Sequence, residues 1–94
     1  MPRLLTLQAA AYAWVDLARL KDAAEAADEA VEIADQTDWL SFRGDAAMTR
    51  ARVAVASQRP ERARSEARRA LRIYRRRANT IGGRRAAGLL ATLD

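Results

Sequence analysis

The sequence predicts an all-α fold of antiparallel helix hairpins, about five helices in a single domain spanning residues 1–94. Three observations carry that prediction. Alanine supplies 23 of the 94 residues, and alanine, leucine and arginine are among the strongest helix formers. Apolar residues recur at the three- and four-residue spacing of a helix face through most of the chain. A shift of 40 residues superposes Ala23 on Ala63, Ala27 on Ala67, Ala30 on Ala70, Val31 on Leu71 and Ile33 on Ile73. A fixed offset of this size marks a repeat architecture. With aromatics at 5%, a β-sheet core would lack the side chains it needs.

Each element follows from its pattern. Leu4, Leu7, Ala11, Trp14 and Val15 form one face, so a first helix is expected over about residues 4–18. Ala23, Ala27, Ala30, Val31 and Ala34 define a second, closing a first pair over 4–36. Thr37-Asp38 interrupts the pattern. A third helix is expected from Ser41, whose hydroxyl is placed to cap it, to about Ser57. Pro60 suits the first position of a fourth helix, where its missing N–H would have no partner anyway. That helix ends near Arg77, giving a second pair over 41–77. Asn79-Thr80 reads as a turn or cap, and Ala86, Leu89, Leu90 and Leu93 form the apolar face of a closing helix over 81–93. Gly82-Gly83 falls at its start and is expected to weaken it by about 1 kcal/mol per glycine. Short connections make neighbouring helices antiparallel. The small residues Ala11 with Ala23, and Ala51 with Ala63, fall where the helices of each pair cross.

Composition removes several functions. Without cysteine or histidine there are no disulfides, thiolate nucleophiles, Cys/His zinc sites or imidazole bases. No stretch reaches the roughly 20 apolar residues of a membrane span, and the N-terminus lacks a signal-peptide pattern. A cytoplasmic location with no membrane association is the expectation. No catalytic residue, cofactor site or metal site is expected, and Gly82-Gly83-Arg84-Arg85 lacks the strand and the Gly-Lys-Ser/Thr of a phosphate loop.

Charge is divided between the halves. Residues 1–48 carry four basic and nine acidic side chains, net −5, whereas residues 49–94 carry thirteen basic and three acidic, net +10. The acids of the second helix (Asp22, Glu25, Asp28, Glu29, Glu32, Asp35) lie opposite its alanine face and read as a solvated surface. On the fourth helix Arg68, Arg72, Arg75 and Arg76 share one exposed stripe. Three uses are open for the arginines: pairing with the acidic helix, taken as its side-by-side neighbour; contacting a protein partner; or following a phosphate backbone. Nucleic acid is the least favoured, because neither interleaved aromatics nor a helix-turn-helix signature accompanies the stripe.

Leu17-Ala18-Arg19-Leu20-Lys21-Asp22-Ala23 and Ser57-Gln58-Arg59-Pro60-Glu61-Arg62-Ala63 resemble the inter-helix turn of the tetratricopeptide (TPR) repeat. Asp38-Trp39-Leu40-Ser41-Phe42-Arg43-Gly44-Asp45-Ala46 and Tyr74-Arg75-Arg76-Arg77-Ala78-Asn79 are similar to the C-terminal repeats of bacterial ATPase-coupled adenylate or guanylate cyclases and LuxR-type regulators. The resemblance implies a TPR-like α-solenoid, a detached tail or small relative of a signalling protein, with none of the parent's catalytic domains. Neither turn has the family's glycine, and the offset exceeds the usual repeat length.

The functional expectation is a non-catalytic protein–protein interaction or self-association module, with electrostatic nucleic-acid binding through the fourth helix as the alternative. Leu4 and Leu5, with Leu7, are expected to form an apolar N-terminal edge that docks on a parent domain or another copy. Tyr12 is placed on the side where first helices line a groove. Trp14 is expected to fill core, and Trp39 and Phe42 to cover the junction between units.

Overall fold

The computed structural model describes residues 2–93, with side chains from Leu7 to Leu93. Five helices follow in order: α1 (Pro2–Asp16), α2 (Leu20–Asp35), α3 (Leu40–Ala56), α4 (Pro60–Arg76) and α5 (Thr80–Leu93). No strand occurs among the described residues. Consecutive helices pack on one another, and α1 touches α3 as α3 touches α5. The odd-numbered helices therefore form one layer and α2 and α4 a second. The Cα extents of 33 × 33 × 17 Å match two layers at helix-packing distance.

Alanine makes this packing close. Ala11, Ala23, Ala27, Ala30, Ala34, Ala46, Ala47, Ala51, Ala63, Ala67, Ala70 and Ala86 are all fully buried. Ala11 and Ala23 share one cluster with Ala26, Ala27 and Val53. Larger buried side chains are few: Val31, Met48, Val53, Ile73 and Tyr74. Small side chains at the crossings bring backbones together and exchange buried area for contact density.

Three of the four turns are the same device. After α1, Arg19 N–H donates to Trp14 C=O at 2.8 Å and Ala18 N–H to Val15 C=O at 2.9 Å. The same pair of bonds recurs at Arg59/Ala54 with Gln58/Val55, and at Asn79/Tyr74 with Ala78/Arg75. These are Schellman closures, which satisfy the orphan carbonyls of a helix end and need a left-handed residue. Here that residue is never glycine: Ala18, Gln58 and Ala78 sit at φ 59°, 58° and 55°. A side chain at such a φ costs roughly 1–2 kcal/mol. Gln58→Gly is therefore expected to raise stability by about 0.5–1 kcal/mol, read as a shifted urea midpoint at unchanged slope. The first two turns stand 40 residues apart, which is the offset of the sequence repeat.

The fourth turn, between α2 and α3, differs. Thr37 Oγ1 donates to Ala34 C=O at 2.8 Å and accepts from Trp39 N–H at 3.3 Å. The expected cap at Ser41 is corrected: α3 starts at Leu40, Trp39 is its cap residue, and no side chain caps it. The start signals of α4 and α5 stand where the sequence indicates. Pro60 opens α4, and Asn79 Oδ1 accepts from Gly82 N–H at 2.9 Å.

Candidate interaction surfaces

The outer side of α1 is apolar. Ala11 is buried and Leu7, Trp14 and Val15 are half-buried against the inner clusters. Among the described residues the opposite side shows Ala9, Tyr12, Ala13 and Asp16 to solvent, followed by Leu17 in the turn after the helix. Leu17 is 66% exposed. Tyr12 does lie at the edge shared with α3, where its hydroxyl is 3.4 Å from that of the buried Thr49, which itself donates to Asp45 C=O at 3.0 Å. Leu4 and Leu5 are outside the residues whose side chains are described. Trp14 is only partly covered by the core, and the Arg19 guanidinium lies over its ring at 4.6 Å. At the first junction, Phe42 packs on Ala30, Val31, Ala34 and Ala46, while Trp39 stays 58% exposed with its ring 5.0 Å from that of Phe42.

The acidic helix α2 and the basic helix α4 lie in the same layer and pair their charges, as the sequence predicts. Their backbones stay apart, with no described Cα of α4 within 8 Å of one in α2. Side chains close that gap, and α3 contributes to the same network. Asp28 takes Arg50 of α3 at 3.1 Å and Arg62 of α4 at 3.5 Å. Asp35 takes Arg69 of α4 at 2.7 Å and Arg43 of α3 at 3.6 Å. Arg50 also reaches Glu66 at 3.7 Å. Long guanidinium side chains span a gap that the backbones leave open. The arginines recruited, Arg43, Arg50, Arg62 and Arg69, are not those of the predicted stripe.

Arg68, Arg72, Arg75 and Arg76 are all exposed and, among the described residues, form no ion pair. Arg68, Arg72 and Arg75 lie on the solvent side of α4 away from Arg62 and Arg69, whereas Arg76 continues the line of those two. Arg75 and Arg84 stand over an open groove of about 390 Å³ between α4 and α5, which Leu71, Gly83, Ala78 and Ala87 also line. Arg84 belongs to this surface, although its place beside Arg75 was illegible without knowing how α5 lies on α4. At the far end Arg64 Nη2 donates to Leu93 C=O at 2.8 Å, a cation on a helix C-terminus where the dipole favours it.

Tyr74 holds the three C-terminal helices together. It is 3% exposed and packs with Ala47, Met48, Ala70 and Ala86. Its ring passes between two glycines: a Cβ on Gly44 of α3 would lie 2.7 Å from Cε1, and one on Gly82 of α5 would lie 2.5 Å from Cδ1. Its hydroxyl donates to the Asp45 carboxylate. Burial first, then that bond and the carboxylate's charge, push the phenol well above its ordinary range. Because the unfolded chain ionises near pH 10, stability is full below that pH and falls as pH rises above it. A 295-nm absorbance titration is expected to show Tyr74 ionising only as the helices melt, and Tyr74→Phe to remove that step.

Among the described residues no group of three or more Asp, Glu, His or Cys side chains converges to hold a metal. No helix among them is long and apolar enough to cross a membrane. Comparison with known protein families, curated proteins and solved structures yields no match to this chain.

Proposed function

We propose that this chain is a non-catalytic, TPR-like protein-interaction module that docks through the outer face of α1. The observation that carries this is the largely apolar character, among the described residues, of both sides of α1. A surface helix normally turns a polar face to water; the described part of α1 shows Ala9, Tyr12 and Ala13 there with Asp16 alone among them charged, and Leu17 follows in the turn. The alternation of small and large apolar residues matches the interfaces inside the stack, where alanine allows close approach and a few larger side chains fill the gaps. Another helix is its fitting occupant, from a further domain or, in the isolated chain, from a second copy. Support for the TPR-like reading comes from the hydrogen-bonded turns at Ala18 and Gln58 and the buried small residues at both crossings. The link to bacterial signalling proteins rests on residues 38–46 and 74–79 alone. A cytoplasmic site of action goes with that link.

The double variant Tyr12→Glu/Leu17→Glu tests the docking face. Both positions are exposed, so helicity and thermal midpoint are expected to stay within about 0.5 kcal/mol of the parent. The mass from light scattering is expected to fall to that of one chain. An unchanged mass would remove α1 from the interface.

A further inference from the structure

We infer that the groove between α4 and α5 is a docking site for an acidic amphipathic helix of a protein partner. The basis is the uneven use of α4. One flank of this helix is neutralised from within, where Arg62 and Arg69 hold Asp28 and Asp35 of α2. The rest of its exposed surface leaves Arg68, Arg72 and Arg75 unpaired among the described residues, and α5 adds Arg84 beside Arg75 instead of a counter-charge. A cluster of like charges opposes its own compact state and attracts an anionic partner.

The groove's lining selects the kind of anion. Leu71, Gly83 and Ala87 give it an apolar floor, and Arg75 and Arg84 rise from it. Gly83 and Ala87 are small enough for a helix backbone to come close, as alanines do throughout the stack. A carboxylate-bearing helix with an aliphatic stripe satisfies floor and rim together. A phosphate backbone would use only the rim, and the one aromatic lining the groove, Tyr74, is too buried to stack a base. The chain itself contains the pattern of such a ligand. In α2, Ala23, Ala27, Ala30 and Val31 are buried, while Asp28 and Asp35 are gripped by arginines from α3 and α4.

A labelled peptide of residues 20–36 is therefore the probe, titrated into the whole chain by fluorescence anisotropy at about 50 mM salt, where charge pairing is weakly screened. Binding with a Kd on the order of 10–100 µM is expected, weakening as salt rises and absent for the peptide with every acid replaced by its amide. Arg75→Glu/Arg84→Glu is expected to weaken it about tenfold or more, by losing two rim pairs and adding repulsion. Arg62→Ala/Arg69→Ala reports on the internal place of α2. Loss in that variant alone would mean exchange with α2 and would overturn the proposal. So would no binding at about 1 mM peptide, indifference to Arg75→Glu/Arg84→Glu, or tighter retention of a labelled oligonucleotide by the same arginines.

Discussion

Gly82→Ala lowers the thermal midpoint, whereas Gly83→Ala, one position along the same helix, raises it. Helix propensity alone gives both changes the same sign, a gain of about 0.5–1 kcal/mol. The contacts separate them. A Cβ on Gly82 would lie 2.5 to 2.8 Å from three atoms of the Tyr74 ring, while one on Gly83 would meet only Leu71 at an ordinary 3.9 Å. The ring cannot move aside easily, since Gly44 also lies against its Cδ1–Cε1 edge and Asp45 holds its hydroxyl. Overpacking of this kind costs about 1–3 kcal/mol, which exceeds the propensity gain. In a domain of this size each 1 kcal/mol moves the midpoint by about 4–8 °C. The two variants should therefore stand several degrees apart on opposite sides of the parent. Calorimetry on the pair decides it, and a gain for Gly82→Ala would mean that Tyr74 is not clamped.

Removing the guanidinium of Arg50 is the second large effect. This arginine sits between the layers, 3.1 Å from Asp28 and 3.7 Å from Glu66, and its side chain is 26% exposed. Glu66 is the more buried partner, at 13%, and its Oε2 has no hydrogen bond. Asp28 retains Arg62, but Glu66 has no other ion pair among the described residues. Arg50→Met is expected to cost about 2 kcal/mol, less than the 3–5 of a fully buried pair because water still reaches the site. Adding Glu66→Gln should recover most of the loss, since the uncompensated charge is then gone. Urea unfolding of the two singles and the double gives the coupling directly. Additive losses would show that Arg50 acts by packing alone.

Much of the fold was legible because its signals are local or periodic. The 40-residue offset, Pro60 and Asn79 located the hairpins, and each helix boundary falls within two residues of its pattern. What stayed hidden depends on distant residues meeting. Gly82 reads as a weak point in a helix, and only the arrival of Tyr74 from α4 makes its lack of a side chain a requirement. The turns at Ala18, Gln58 and Ala78 carry no glycine to announce a left-handed residue. Ser41 looked like a cap, yet α3 starts one residue earlier without one. The charge pattern indicated that acidic and basic helices would interact, but not that α3 would contribute Arg43 and Arg50 to the same acids. Which arginines remain unpaired is consequently a property of the fold. The stripe at Arg68, Arg72, Arg75 and Arg76 could be read from spacing, while its extension through Arg84 required the packing of α5.

The apolar outer face of α1 is the feature on which the functional account turns. Sedimentation velocity on the unmodified chain, from about 1 to 100 µM, tests it most directly. Association that grows with concentration, persists at high salt and disappears in Tyr12→Glu/Leu17→Glu is the predicted result. Salt resistance matters because an interface built on Ala9, Tyr12, Ala13 and Leu17 is apolar, unlike the arginine groove. A folded chain that sediments as a monomer across the whole range would contradict the account.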